Sequence, residues 1–205
     1  MPSLPTWLPQ TAARDRKGDR TREQLFQAAL AEFRSVGFEQ ASIGQIASRA
    51  GTSRANFYFH YPCKEAVLLD LQWRVETSIV ERVRGRASLR EALAELIDGL
   101  IDAEASLAPG DLLRDMLSVY IRRPAGLDLA DQPFPLVMEV GRRFAGSTSR
   151  ELRAGLDPEQ ATHLFLTSLF GLLVSPRGPL VERRDELHQL SRLFLEEPRR
   201  APRRG

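Results

Sequence analysis

The sequence predicts an all-α fold in which a short domain of three helices precedes a longer helical domain. Apolar residues recur at intervals of three and four positions, and residues that commonly cap helices stand before these runs. No segment alternates polar and apolar residues as a half-exposed strand does. The chain has 205 residues, of which 42% are hydrophobic, so it has enough apolar surface for a core and is not a disordered protein.

Three further features limit where the protein is expected to work. The longest apolar run, residues 164–174, is shorter than the roughly 18 residues that a membrane-spanning helix needs. No apolar stretch of the secretory-signal type lies near the amino end, and the single cysteine, Cys63, excludes an intrachain disulfide. We therefore expect a cytoplasmic protein with no membrane partner.

The first helix is predicted at about 21–36. Residues 1–19 contain three prolines and no apolar period, which predicts a flexible basic arm. Thr21 and Gln24 then match a capping box, and Gly37 followed by Phe38 is a common way for a helix to end.

Two short helices should follow, joined by a tight turn. Ser42 and Gln45 form a second capping box, and Gly51 should end the helix that they open. Thr52 or Ser53 can cap the next helix, which Pro62 stops. This pattern is that of a helix-turn-helix, whose second helix lies in the DNA major groove, although plain αα-hairpins can share it.

The third helix has the side chains of a DNA-reading helix. Its outward positions are polar hydrogen-bonding groups and aromatic rings instead of the Glu and Lys of an ordinary solvated helix. Arg54 can contact guanine and Asn56 adenine through paired hydrogen bonds, while serine, tyrosine and histidine can bind phosphate. The alternative is that its aromatic residues belong to the core, which we expect for Phe57 and Tyr61.

Charge is distributed unevenly along the chain. Residues 1–64 have nine Lys and Arg against five Asp and Glu, residues 65–197 have sixteen against twenty-two, and residues 198–205 have four arginines and no acid. A basic amino-terminal part on an acidic body favours an anionic partner such as nucleic acid for the first 64 residues.

Six longer helices are predicted beyond residue 64. Proline, glycine and aspartate mark the breaks between them, and residues 198–205 should form a basic disordered tail. The predicted helices span about 64–84, 89–106, 110–122, 134–154, 158–174 and 180–196.

Residues 20–70 resemble the DNA-binding domain of the tetracycline-repressor (TetR) family. The resemblance lies in residues 21–33, Gly37-Phe38 and residues 42–61, followed by Lys64-Glu65 and Leu68. It implies a helix-turn-helix domain over 20–66, with its motif at about 42–61, and a helical effector-binding and dimerisation domain over 67–197. Members of the family are ligand-responsive bacterial transcription regulators, usually repressors, that bind operator DNA as homodimers. The resemblance thus implies three partners: double-stranded operator DNA, a small-molecule effector and a second copy of the chain.

The resemblance also implies roles for individual residues. Ser42 would contact a phosphate, Arg54, Ala55 and Asn56 would face base edges, and Tyr58, His60 and Lys64 would contact the DNA backbone. The complete expected set is Ser42, Ser53, Arg54, Ala55, Asn56, Tyr58, Phe59, His60 and Lys64.

Three residues depart from the family pattern. Gly44 offers no base-reading side chain, Thr52 replaces an apolar turn residue, and Cys63 replaces a small polar one. Cys63 is either a chance substitution or, if Lys64 lowers its pKa, an oxidant sensor.

The last two helices would form the dimer interface, although an intramolecular core explains the same apolar stripes. The expected interface residues are Leu164, Ser168, Leu172, Leu187, Leu190 and Phe194. An effector pocket for a hydrophobic or amphipathic molecule would lie among the middle helices, where core packing is again the alternative. Its candidates are Trp73, Met116, Tyr120, Phe134, Met138, Phe144, His163 and Phe165.

An enzymatic role finds little support. The sequence has no dinucleotide-binding or phosphate-loop glycine motif and no zinc-protease motif. Glu95, Asp98 and Asp102 share a helix face, but it lies opposite an apolar one and is expected to face solvent. We expect no catalytic residue, metal or cofactor. The alternatives to a ligand-released repressor are an activator, a corepressor-dependent regulator, a non-specific architectural DNA-binding protein and, least favoured, an all-helical enzyme.

Overall fold

The protein is described here by a computed structural model that covers residues 16–108, 111–122, 134–148 and 150–197. Within these residues the chain is all-α, as predicted, and its only β feature is an isolated bridge between Leu152 and Leu195. None of the helices in these ranges is both long and apolar enough to cross a membrane. The helices are α1 (Arg16–Val36), α2 (Ile43–Arg49), α3 (Arg54–His60), α4 (Glu65–Arg84), α5 (Leu89–Leu107), α6 (Leu112–Arg122), α7 (Pro135–Ala145), α8 (Pro158–Val174) and α9 (Arg184–Arg192), with a 3₁₀ turn over Leu180–Arg183.

Helices α2 and α3 begin at predicted capping residues, and α1 and α2 end at the predicted glycines. The Ser42 hydroxyl accepts a hydrogen bond from the Gly44 amide, and the Ser53 hydroxyl accepts one from the Asn56 amide, both at 3.2 Å. Gly37 and Gly51 have φ of +81° and +66°, the left-handed conformation that the ends of α1 and α2 require.

The predicted start of α1 is wrong by five residues. The helix begins at Arg16 and places Asp19 in its first turn. A negative charge there interacts favourably with the positive end of the helix dipole. Residues 16–19 of the predicted arm are therefore helical, and residues 1–15 lie outside the described residues.

The described chain divides into two compact units. Unit 1 comprises residues 16–76 and 103–134, and unit 2 comprises residues 77–102 and 135–197. In unit 1, α2 packs on α1 and on α3 around side chains that are less than 4% exposed. These are Leu25, Ala29, Phe33, Phe38, Ile46, Ala47, Phe57 and Tyr61.

Unit 2 is built around α8, which packs against α7 and α9. Its centre is an aromatic cluster of Phe144, Phe165 and Phe194, whose ring centroids lie 5.6–6.1 Å apart. Phe144 and Phe165 are fully buried.

The prediction of one helix over residues 134–154 is wrong, because α7 ends at Ala145. The Ser147 hydroxyl donates to the Phe144 carbonyl, and the Glu151 carboxylate accepts from the amide and hydroxyl of Thr148. These local bonds compete with helical ones. The last predicted helix, 180–196, is likewise shorter: it opens as the 3₁₀ turn and α9 ends at Arg192.

Candidate nucleic-acid interface

Helix α3 has a buried side and an exposed side. Phe57 and Tyr61 are at most 1% exposed, as expected for core residues, whereas Tyr58 is 48% and Phe59 80% exposed. We call the exposed residues of this helix and its cap the α3 face, which consists of Ser53, Arg54, Ala55, Tyr58 and Phe59.

The side chain of Asn56 is oriented by the turn that precedes α3. Its amide nitrogen donates to the Thr52 hydroxyl at 2.7 Å, and the residue is half-buried. Thr52, one of the departures from the family pattern, therefore holds Asn56 from one turn earlier. Sequence analysis did not predict this contact, although a spacing of four residues is the signal that could have indicated it.

The beginning of α2 lies beside Arg54. A Cβ atom on Gly44 would lie 3.4 Å from the Ser42 hydroxyl and 3.9 Å from Cδ of Arg54. A side chain at this position would therefore be in van der Waals contact with both Ser42 and Arg54. Residues 40–64, which contain this whole region, include Arg49, Arg54 and Lys64 and no acidic residue.

Lys64 has partners within the domain. Its Nζ donates to the carbonyls of Phe38 and Glu39, each at 2.9 Å, and lies 4.6 Å from the centre of the Phe38 ring. These bonds tie the segment that leads into α4 to the loop between α1 and α2. A phosphate could be contacted only by the remaining donor of the ammonium or after these bonds break.

His60 does not lie on the α3 face. The residue is 9% exposed, its carbonyl accepts a hydrogen bond from Arg22, and its ring meets Phe59 edge-on. Burial and the Arg22 charge lower its pKa below the ordinary value of 6.5. The sequence predicted an outward position for His60, because the contact of this residue with Arg22 of α1 cannot be read from the sequence.

A buried carboxylate joins the end of α3 to α1 and α4. Asp70 accepts hydrogen bonds from Arg22 at 2.8 Å, from the Tyr61 hydroxyl at 2.8 Å and from Arg74 at 2.9 Å. The guanidinium of Arg22 also lies 4.2 Å from the centre of the Tyr61 ring. We call Arg22, Tyr61, Asp70 and Arg74 the Asp70 cluster.

The Asp70 cluster positions α3 although none of its side chains is on the α3 face. Burial and the Asp70 charge raise the pKa of Tyr61, so its hydroxyl stays protonated and donates. Sequence reasoning missed this role of Arg22 and Asp70, which are 48 residues apart and match no motif.

Cys63 is not an activated thiol. Burial raises its pKa to about 11, which contradicts the lowered pKa that an oxidant sensor would need. Within the described residues no group of three His, Cys, Asp or Glu side chains is placed to hold a metal ion.

The residues predicted to line an effector pocket divide between the two units. In unit 1, Met116 and Phe134 are buried, and the half-buried Trp73 lies 6.4 Å from Phe134 between ring centroids. The side chain of Tyr120 is outside the described residues. In unit 2, Phe144 and Phe165 are in the aromatic cluster, whereas Met138 and His163 are exposed.

The predicted dimer residues differ in exposure. On α8, Leu164 is 53% exposed, Ser168 is exposed and Leu172 is half-buried. On and after α9, the residues Leu187, Leu190 and Phe194 are buried inside unit 2. The basic tail, residues 198–205, lies outside the described residues.

Comparison with known proteins finds matches to part of the chain. The family model of bacterial regulatory proteins of the tetR family matches residues 25–71. YvdT of Bacillus subtilis, an uncharacterized HTH-type transcriptional regulator, is 30% identical over 80 residues, which are 39% of this chain and 41% of that protein. The match therefore spans about two fifths of the length of YvdT.

Two further relatives extend over most of the chain. The HTH-type transcriptional regulator TcmR of Streptomyces glaucescens is 25% identical over 193 residues, covering 78% of this chain and 85% of TcmR. The structure of Thermus thermophilus FadR, a TetR family transcriptional repressor in complex with lauroyl-CoA, is 26% identical with a TM-score of 0.60. The alignment covers 88% of this chain and 99% of the FadR chain.

Replacing Asp70 by alanine should destabilise the protein by about 3 kcal/mol, because it leaves Arg22, which is 14% exposed at its side chain, and the Tyr61 hydroxyl without their acceptor. Glu23→Ala is the control. Glu23 pairs with Arg74, but both side chains are more than 40% exposed, and we expect a loss below about 1 kcal/mol. Urea denaturation measures both variants, and equal losses would contradict the role of the Asp70 cluster.

The stability of unit 1 should depend on the protonation of His60. Its folded-state pKa is lowered, so the folded chain favours the neutral ring and the unfolded chain takes up a proton at about pH 6.5. The contribution of His60 is thus present above that pH and lost as pH falls through the folded-state pKa. The free energy of unfolding should fall more between pH 7.5 and 5 in wild type than in His60→Gln. Parallel pH profiles would contradict this prediction.

Proposed function

This chain belongs to the TetR family of bacterial regulatory proteins, and on that premise we propose that it is a sequence-specific repressor released from a palindromic operator by a small effector. The α3 face carries this proposal. It presents Arg54 and two aromatic residues outside the core, in a segment of 25 residues, 40–64, with no acidic side chain. Among the described residues Arg54 makes no ion pair or side-chain hydrogen bond, so its guanidinium is available for a guanine edge.

In the proposed complex α3 lies in the major groove. Arg54, Ala55 and Asn56 face base edges, with Thr52 setting the orientation of Asn56. Ser42, Ser53 and Tyr58 bind phosphates on either side and fix the position of the helix along the duplex. Lys64 and His60 support this arrangement from within the domain, through the contacts described above.

The proposed effector is hydrophobic or amphipathic. The structure of Thermus thermophilus FadR is described as a complex of a repressor with lauroyl-CoA, a molecule with an acyl chain. In this chain Trp73 and Phe134 lie 6.4 Å apart between ring centroids in unit 1, and Met116 is buried in the same unit. The effector would favour a dimer state whose recognition helices are wrongly spaced for the operator.

Operator binding by this mechanism requires a homodimer in the cytoplasm, where the chromosome lies. Two copies of α3 must reach successive major grooves, which are about 34 Å apart along the duplex. The exposed side of α8 is the proposed contact, since Leu164 is 53% exposed there beside the exposed Ser168 and Gly171.

Arg54→Ala should weaken operator binding by about 1–3 kcal/mol and relax base preference at one position in each half-site. The control Arg34→Ala removes the same charge from an exposed position in the last turn of α1 and should leave preference unchanged. Selection of bound duplexes from a random pool measures the preference, and titration at fixed salt measures affinity.

The same experiment separates the alternatives. An architectural protein would bind random duplex as tightly as any selected sequence, whereas a regulator should prefer its operator by about 10³ or more. An effector that strengthens binding would indicate a corepressor-dependent regulator, and activation of a reporter would indicate an activator.

Leu164→Glu should yield a monomer, because it places a charge in the proposed interface. The matched control is Met138→Glu, since Met138 on α7 is 51% exposed and lies outside the proposed interface. Light scattering after size-exclusion chromatography should give the mass of one chain for Leu164→Glu and the mass of two chains for Met138→Glu. A dimeric Leu164→Glu protein, or a monomeric wild type, would contradict the proposal.

A further inference from the structure

Phe59 is the large hydrophobic side chain with the greatest exposure among the described residues. It is 80% exposed, whereas the other exposed large hydrophobics lie between 39% and 57%. The ring follows directly after Tyr58 on a helix whose other aromatic residues, Phe57 and Tyr61, are buried. Covering such an exposed phenylalanine with an apolar group is favourable, because it removes apolar surface from water.

The ring of Phe59 rests on a buried neighbour. Its centroid lies 5.1 Å from that of His60, with the planes at 88°, and His60 is itself buried. The ring of Phe59 thus contacts the ring of His60, while the residue stays 80% exposed.

Apolar and polar residues form separate strips on the α3 face. Ala55 and Phe59 are four residues apart and share one side of the helix, and Arg54 and Tyr58 form the neighbouring polar strip. An edge of DNA in the major groove offers hydrogen-bonding groups together with one apolar group, the C5-methyl of thymine.

We propose that Phe59 covers the C5-methyl group of a thymine in each operator half-site, so that this protein distinguishes thymine from uracil and cytosine at that position. This inference rests on the proposed function. The charge of this segment favours DNA over a protein partner as the occupant. Residues 40–64 contain no acidic side chain, and Arg54, on the same face as the ring, makes no ion pair among the described residues, whereas Arg49 is paired with Glu32.

The test begins with selection of an operator from random duplex DNA by the full-length protein. Each thymine of the selected operator is then replaced in turn by deoxyuridine, which removes only the methyl group. Fluorescence anisotropy at one salt concentration measures the affinity. The affinity of wild type should fall about fourfold when one particular thymine of a half-site is replaced, which is the effect of one buried methyl group. It should fall about sixteenfold when that thymine is replaced in both half-sites.

Phe59→Ala should bind the thymine and deoxyuridine operators equally, and Phe59→Leu should keep part of the difference. Tyr58→Phe is the comparison variant: it removes the hydroxyl proposed to bind a phosphate, so it should weaken binding to the thymine and deoxyuridine operators alike and leave the ratio between them unchanged. A further pair of operators has cytosine or 5-methylcytosine at that position. Wild type should bind the 5-methylcytosine operator about fourfold more tightly than the cytosine operator, and Phe59→Ala should bind both equally.

The outcomes separate this inference from the proposed function. A selected operator whose thymines can all be replaced without loss overturns the role of Phe59 and leaves sequence-specific binding intact. A preference for thymine that persists in Phe59→Ala also overturns it. If no sequence is enriched over random DNA, the proposed function fails and the inference fails with it.

Discussion

The buried carboxylate of Asp70 is the interaction on which the candidate interface depends. A carboxylate in this environment is costly unless donors surround it, and here the three donors come from α1, the residue after α3, and α4. Satisfying that one charge therefore fixes the relative positions of three segments. The Arg22 guanidinium also binds the His60 carbonyl at 2.9 Å, so the last residue of α3 is held by the same cluster.

This support explains how α3 can present such an unusual surface. A helix of seven residues is unstable alone, and exposed aromatic side chains add nothing to its stability. Phe57 and Tyr61 anchor it to the core, and the Ser53 hydroxyl accepts a hydrogen bond from the Asn56 amide, one of the amides that the first turn leaves free. The exposed side chains of Arg54, Tyr58 and Phe59 are therefore available for recognition.

Local features of the fold could be predicted from the sequence, and features that depend on distant partners could not. The Ser42 and Ser53 caps and the glycine turns were predictable because cap and helix are adjacent in the chain. The burial of His60 and the bonds of Lys64 were not, since they involve α1 and the loop after it. The end of α7 at Ala145 reflects a side-chain network around Glu151 that apolar periodicity does not report.

The departures at Gly44 and Thr52 bear jointly on how the proposed operator would be read. Gly44 has no side chain that could contact DNA, while Thr52 restrains Asn56 through the 2.7 Å hydrogen bond. Base readout then rests on a few side chains of α3. Each mismatch at a contacted pair typically costs about 1–3 kcal/mol, so one half-site read this way gives limited discrimination. Two half-sites double that free energy, which makes dimerisation a requirement of specificity and not only of affinity.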